Sequence, residues 1–556
     1  MLKTKLKKIW PFFLILLLSI FAFWPLLRGG FFPVHDDLQV VRLFEMEKCF
    51  LDGQLPCRWT PDLGGGFGLP MFNYYSPLVY YLGMIFRFLG FSFLGSIKLL
   101  FLAGILLSGF SMFLLAREFW GNLGGITSAI LYVFVPYHAL DIYVRGDLAE
   151  FFALSFLPLV FWCFYRLIKE KSSQFLILSA FSLATLILSH NITAMLSFPI
   201  LVIWILYWFS TLEKFNRLAY IKVFSAGFLG FSLSAFFLLP ALFENSLVNL
   251  LGLTTGYFDF RAHFITLGQL FLDRSWDFGA SWFGPIDGLS FQIGWPHWWL
   301  VVLSGGIGLW RLKNRKDGTT GLIFLTAGLF LILAFMTHSR SIFIWEKIPF
   351  FSFVQFPWRL VGLAAFSGSL LAGSVIGLFA RRNQVLEIFL VAFLIVLTIL
   401  LNFAYFKPAK FQSVSDQDFL PRKDFFDFLP KNTSLPEVSF QEPKIIEGEG
   451  QIREFFKKSD YFKVNIEVYQ DQKASILIPV FNFPNWEIFV DEQKVLIEEN
   501  QFGLIAVKCP PGKHEISGWF RNTKVRLLGN GITLISLFFL IFYLAAYEKN
   551  SKKAIN

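Results

Sequence analysis

Charge is scarce in this chain. Asp, Glu, Lys and Arg make up 16% of its 556 residues, against 55% hydrophobic ones, too little to cover a water-soluble surface, and this excludes an ordinary soluble globular domain. Cysteine is scarcer: with four residues there is no disulfide framework. Cys49 and Cys57 fall in one loop and could pair if that loop is extracytoplasmic, though spacing decides neither a pair nor a free thiol. Cys163 reads as a core residue. P-loop, HExxH, CxxC and GxSxG patterns are missing, so ATP hydrolysis, zinc proteolysis and serine-esterase chemistry lose their usual signatures. No internal repeat or low-complexity tract is evident.

What is present is apolar sequence in long runs, with a mean hydropathy of +0.58. About twelve runs have the length a bilayer needs, at 9–27, 97–116, 122–138, 150–166, 174–189, 192–209, 221–242, 296–311, 319–337, 358–380, 386–404 and 527–546. The chain reads as a polytopic membrane protein, and its 73 Phe and 17 Trp fit lipid-facing and interfacial positions. The first run is long enough to span and is followed by no small-residue cleavage pattern, so it reads as a retained helix rather than a signal peptide. The net charge of +10 does not point to nucleic acid, because Lys and Arg cluster in the short connectors between apolar runs.

Those connectors, MLKTKLKK, RLIKEKSSQ, EKFNRLAYIK, RLKNRKD, ARRN and YEKNSKK, all fall on the cytoplasmic side only if PLVYYLGMIFRFLGFSF, residues 77–93, does not span. Arg87 in its middle and Tyr80 and Tyr81 near its start suit an amphipathic helix at the headgroups. The amino terminus is then cytoplasmic, and the loops at 28–96, 243–295 and 338–357 face outward with residues 405–526. The unusual polar sequences therefore converge on the extracytoplasmic face.

The stretch at 28–75 gathers His35, Asp36, Asp37, Arg42, Arg58, Asp62, a Gly64-Gly65-Gly66 turn and the pair Tyr74 and Tyr75. Paired carboxylates there suit a general base or metal ligation, and arginines suit a phosphate. The plainer reading is that Asp36 and Asp37 cap the helix LQVVRLFEMEKCFL. PYHALDIYVRGDLAE places Asp141, Arg145, Asp147 and Glu150 just before a helix resumes. Asp141 and Arg145 at a spacing of four form a local ion pair in the plain reading, whereas an inward-facing Arg145 or Glu150 is a substrate-contact candidate. His190 stands in a tight turn that needs only Asn191, so it either contacts ligand or anchors at the interface. The loop at 243–295 is too aromatic for disorder. FVQFPWRL sets Arg359 at the mouth of a helix, as a headgroup or phosphate contact, beside Trp358, read as an interfacial anchor. Strand-length segments between turns in 405–526 predict a small antiparallel β-sandwich.

HDD after the first helix, LPCRW, GGGFGLPMFNYYSPLVYYL, VPYHALDIYVRGDLAE and VQFPWRL, in that order, together resemble the bacterial membrane proteins labelled 6-pyruvoyl-tetrahydropterin synthase-related. More distantly they are similar to GT-C glycosyltransferases and YfhO-like proteins. The synthase activity in the label does not carry over, since no zinc-ligand histidine set is visible. The resemblance implies a GT-C-like transmembrane domain at 1–404 with a juxtamembrane helix, an extracytoplasmic β domain at 405–526, and a final helix and cytoplasmic tail at 527–556. It also implies a plasma-membrane glycosyltransferase using a polyprenyl-phosphate-linked sugar, with a glycan, lipid or protein acceptor. Asp36 or Asp37 would be the base, and His35, Arg58, Tyr75, Arg145, Glu150, His190 and Arg359 would line the substrates. His-Asp-Asp in place of Asp-x-Asp leaves a divalent metal open and required by nothing in the sequence. The competing readings are a transporter or flippase of a lipid-linked sugar and a noncatalytic envelope-assembly protein. For topology, a cysteine placed at Lys171 should be shielded from a membrane-impermeant thiol reagent in intact cells and one at Ser415 labelled; labelling at Lys171 would mean that 77–93 spans.

Overall fold

A computed structural model of the chain describes residues 2–282, 284, 287–314, 318–379, 384–420, 422–437, 439–469 and 473–555. The basic connector residues 315–317 and 380–383 lie outside the described residues. Over the described residues each apolar run is mostly helical. The runs at 97–116 and 122–138 join in one element, Phe93–Val133, interrupted at Gly121 (φ 74°, ψ −179°), a conformation open to glycine and few other residues. Among the described residues eight helices are long and apolar enough to cross a membrane, or nine if Arg217–Leu233 and Ala235–Phe243 form one broken span. This falls below the expected count of about twelve because two runs share Phe93–Val133, Ser173–Ser189 has 17 residues, and Trp295–Asn314 is not among the eight. The disputed segment forms Leu78–Phe88, 11 residues, or about 16 Å of helix, half of a hydrocarbon core of about 30 Å. It is too short to span.

The chain folds as two compact units, each built from separated stretches: Met1–Gln39, Leu94–Gly230 and Leu253–Ser415 form the first, and Val40–Phe93, Phe231–Gly252 and Asp416–Asn556 the second. In the first unit the span Pro357–Gly377 is wholly surrounded by protein, and small residues make this possible. A Cβ on Gly373 would stand 2.5 Å from the Gly124 carbonyl oxygen, and one on Gly124 would stand 2.7 Å from that of Gly373. Close backbone approach at this pair holds the helix central, and its first turn carries Arg359.

In the second unit eight strands, β1 (Lys444–Glu447), β2 (Glu449–Lys457), β3 (Tyr461–Tyr469), β4 (Ala474–Phe481), β5 (Trp486–Val490), β6 (Gln493–Val495), β7 (Leu504–Cys509) and β8 (Gly512–Phe520), form two antiparallel sheets. Their orders are β1-β4-β7 and β2-β3-β8-β5-β6. β3 alternates, with Phe462, Val464, Ile466 and Val468 buried. β4 is buried throughout, which fits a sequence apolar at every position but Ser475, whose hydroxyl meets Glu498 Oε2 at 3.2 Å. The glycine turn covers it: the Phe481 amide donates to the Phe67 carbonyl at 2.9 Å and the two rings stand 5.4 Å apart. Cys49, Cys57, Cys163 and Cys509 are all free and buried. The Cys49 thiol donates to the Trp59 carbonyl at 2.9 Å.

Where the last helix, Lys524–Ile555, begins, Arg526 is fully buried and donates Nε to Glu244 Oε2 at 2.8 Å. Its guanidinium lies 5.1 Å from the ring centroids of Phe483 and Phe520, so removing the carboxylate strands a charge among rings. Glu244→Ala should therefore destabilise the protein by about 3–5 kcal/mol, read as a lowered melting temperature in detergent. Arg526→Leu added to it should recover much of the loss.

Candidate active site

Arg145 is the centre of the site in the first unit. It ends a short π-helical turn, Asp141–Arg145, that follows Pro136–Leu140. This turn brings its own first residue, Asp141, and the two acids that follow it, Asp147 and Glu150, onto one guanidinium. Nη1 donates to Asp141 Oδ1, as the spacing of four suggested, and Nη2 donates to Asp147 Oδ2 at 2.7 Å and Glu150 Oε2 at 3.0 Å. Arg359 reaches the same cluster from a distant part of the chain, donating Nε to Glu150 Oε2 at 2.9 Å and Nη1 to the Val354 carbonyl at 2.8 Å and Gln355 Oε1 at 3.1 Å. The Tyr137 hydroxyl donates to Glu150 Oε1 at 2.5 Å. Apart from the half-buried Gln355, these side chains are buried, where charge persists only if paired.

Burial works against an ionised Asp147, but Arg145, Arg359 and the Glu150 amide outweigh it and hold the carboxyl below its ordinary range. Asp147 also caps the helix Leu148–Glu170 by accepting from the Glu150 amide at 3.0 Å. His190 caps the next turn: its Nδ1 accepts from the Thr193 amide at 3.4 Å and meets Thr193 Oγ1 at 2.8 Å. The histidine, read above as surplus to the turn, is its cap. Burial pushes its imidazole down to about 4 against the pull of Asp147 and Glu150, so it is neutral at pH 7. Trp358 is likewise no interfacial anchor. It is buried, donates to Ser281 Oγ at 3.1 Å and lies under Arg145, 4.7 Å from the guanidinium carbon, because an aromatic face offers a buried cation attraction without further charge.

The His-Asp-Asp loop is fixed to this cluster through backbone. The His35 amide donates to the Val144 carbonyl at 3.0 Å and the Asp36 amide to the Arg145 carbonyl at 2.8 Å. Buried Gln39 clamps the arrangement, its Nε2 donating to Asp36 Oδ2 at 2.8 Å and the Gly146 carbonyl at 2.9 Å. His35 is exposed, with Nε2 at 3.1 Å from the Phe278 carbonyl, while Asp36 and Asp37 are half-buried. Of the residues selected from the sequence, the structure thus gathers His35, Asp36, Asp37, Arg145, Glu150, His190 and Arg359 in one unit. Arg58 and Tyr75 belong to the other unit. There Arg58 is buried and donates to Asn73 Oδ1 at 2.8 Å, Asn530 Oδ1 at 2.7 Å and the Phe236 carbonyl at 3.1 Å. Tyr75 lies over Arg42 at 4.5 Å. Gln39, Tyr137 and Gly146 carry no signal in the sequence, since nothing local marks a clamp that closes across 107 residues.

Asp147, Glu150 and His190 offer ligand atoms within 4.8 Å of one another, a donor set suited to a divalent ion. Both carboxylates are already engaged by the guanidinium groups of Arg145 or Arg359, and His190 Nδ1 serves Thr193. In this arrangement an ion would compete with the arginines, and no chemical step is assigned to one.

A family model described as a 6-pyruvoyl-tetrahydropterin synthase related domain, membrane protein, matches residues 72–407. An uncharacterized protein of Lactococcus lactis subsp. cremoris (strain MG1363) is 30% identical over 244 residues, 42% of this chain and 39% of the relative; the match spans about two fifths of that protein. Among solved structures, the arabinofuranosyltransferase AftD from mycobacteria is 14% identical with a TM-score of 0.43 over 73% of this chain and 27% of its own. The Archaeoglobus fulgidus oligosaccharyltransferase is 12% identical with a TM-score of 0.44, over 78% and 62%. ArnT from Cupriavidus metallidurans, bound to undecaprenyl phosphate, is 12% identical with a TM-score of 0.39, over 71% and 64%. Likeness at this level assigns no chemistry.

Gly146 is the residue on which the docking of the loop turns. Its φ is +67°, and a Cβ there would stand 2.6 Å from Val34 Cγ2 and 3.1 Å from the Asp36 carbonyl oxygen. Gly146→Ala should release the loop, read as faster labelling of a cysteine placed at His35 or as new proteolysis near residues 33–37. Unchanged labelling would show that the loop is held by something else.

Proposed function

The chain belongs to the 6-pyruvoyl-tetrahydropterin synthase related family of membrane proteins, and within it we propose a glycosyltransferase that moves a sugar from a polyprenyl-phosphate carrier to an acceptor on the extracytoplasmic face. The observation that carries this reading is the half-buried carboxylate pair Asp36 and Asp37, in a loop whose His35 and Asp36 amides bond to the turn that carries a buried cluster of charge. A base needs access to its substrate and a fixed position. The loop supplies access, and the Gln39 clamp supplies position.

Asp36 or Asp37 takes the proton from the acceptor hydroxyl as its oxygen attacks the anomeric carbon. The bond from that carbon to the phosphate oxygen breaks, and the lipid phosphate leaves with the electron pair. Arg145, whose carbonyl accepts from the Asp36 amide, and Arg359 are the cations of the cluster, and each is neutralised at rest by Glu150 and Asp147. They stabilise the departing phosphate by exchanging a carboxylate partner for it, with planar guanidinium geometry suited to two oxygens. His35 marks the same position in the sequence resemblance and lies at the exposed side of the loop. Asp36 is the favoured base, with Asp37 assisting.

Asparagine caps a helix as well as aspartate, so Asp36→Asn and Asp37→Asn separate chemistry from structure. The variant lacking the base should lose about 10²- to 10⁴-fold in turnover of a polyprenyl-phosphate sugar, while yield and melting temperature hold. Full activity in both single variants and the double variant would sink the assignment. A folding defect would return both residues to a structural role.

A further inference from the structure

The solvent face of an antiparallel sheet is ordinarily polar, but on β2-β3-β8-β5-β6 a group of aromatic rings stands together at one end, with Tyr469 alone at the other. Along β3 and β8 the outward pairs run Tyr461 with Trp519, Lys463 with Ser517, Asn465 with Glu515 and Glu467 with Lys513. Aromatics collect at the first two rows. The Tyr461 and Trp519 ring centroids are 4.2 Å apart, Phe456 on β2 lies 6.5 Å from Tyr461, and Arg521 stands 5.0 Å over Trp519. Phe456 and Trp519 are 46% and 37% exposed. Neighbouring large apolar groups left in the open are informative in a way that scattered ones are not.

The chain itself says what is near this end. β8 stops at Phe520, and a membrane span begins at Lys524. The Arg521 amide donates to the Asn485 carbonyl at 2.8 Å and Asn485 Nδ2 to the Asn522 carbonyl at 2.8 Å, which ties the start of β5 and the end of β8 to the entry of the span. The adjoining β2–β3 turn is joined to a second exposed apolar group: the Ser459 amide donates to Asp52 Oδ2 at 2.7 Å, and Leu51 and Leu55 around that aspartate are 68% and 60% exposed. Further on, Phe50 meets Phe88 at 5.6 Å, and Phe88 and Leu89 are 61% and 69% exposed at the end of Leu78–Phe88.

We propose that this end of the β domain is a lipid-contacting surface, with Phe456, Tyr461 and Trp519 seated in the headgroup layer beside the last span and Leu51 and Leu55 continuing the contact. Continuity with the span selects lipid as the occupant, because Trp and Tyr rings, apolar in body and polar at the tip, partition to that depth. The charges on the face favour lipid over a polyanion: Lys463 pairs with Glu515 at 2.6 Å and Lys494 with Glu487 at 2.6 Å, leaving no strong field. The domain would then be held by two contacts, a helix through the membrane and a face on it, which fixes its tilt. The inference does not depend on the transfer reaction.

The test uses the full chain in phosphatidylcholine vesicles. Single cysteines at Phe456, Leu55 and Lys513 carry an environment-sensitive fluorophore; the four native thiols are buried. Lys513 pairs six residues along from Trp519, about 20 Å farther up the sheet, and serves as the distant control. Fluorophores at 456 and 55 should be quenched by lipids carrying a shallow spin label and protected from aqueous iodide severalfold better than the one at 513. Iodide access at 456 and 55 equal to that at 513 would overturn the proposal and leave the strip to a soluble partner. Should Phe456→Cys fail to fold, Trp519→Cys carries the same comparison.

Discussion

A guanidinium buried beside a membrane span must bring its counter-charge with it, and Arg145 imposes that demand on the first unit. Its partners are Asp141, Asp147 and Glu150, residues that would each be costly alone in the same surroundings. The turn that delivers them closes with Gly146 in the left-handed region. That turn in turn offers the carbonyls of Val144 and Arg145 to the loop at His35 and Asp36. Ionic pairing, backbone geometry and the placement of the carboxylate pair are therefore one arrangement. Disturbing the charge should disturb the loop.

The second unit solves a similar problem with less charge. Arg526 has one carboxylate, Glu244, and two aromatic rings, while Arg58 relies on Asn73, Asn530 and a main-chain carbonyl. Burial beside Arg526 pushes the Arg58 guanidinium down to about 10, desolvation being the larger cause and the like charge the smaller. These contacts join the first loop, the segment before Glu244 and the last helix. Here both arginines tie separate stretches of chain together through their hydrogen bonds.

Much of the fold was legible because hydrophobicity over about twenty residues is a local property. The charge bias of the connectors kept 77–93 out of the membrane-spanning set, and its 11-residue helix agrees. The Asp141–Arg145 pair was legible from its spacing. Contacts across the sequence were not: Arg359 meets Glu150 over 209 residues, and no pattern within FVQFPWRL announces that partner. Trp358 looked interfacial since tryptophan beside an arginine at a helix mouth usually is, yet the same pair serves in a buried stack. In sequence His190 is open to a ligand or anchor reading because histidine is an uncommon cap; its capping depends on a ring nitrogen reaching the Thr193 amide. The glycine turn was visible, but not that it would cover β4 and so permit a strand without a polar side.

The proposed transferase differs from a transporter with the same arginines in whether a lipid-linked sugar would be cleaved or merely carried. The direct measurement is release of free polyprenyl phosphate when purified protein is incubated with a panel of polyprenyl-phosphate sugars and candidate acceptors. The account predicts acceptor-dependent release for at least one donor. Passage of the intact lipid-linked sugar across a vesicle membrane, with no lipid phosphate freed from any donor, would contradict it.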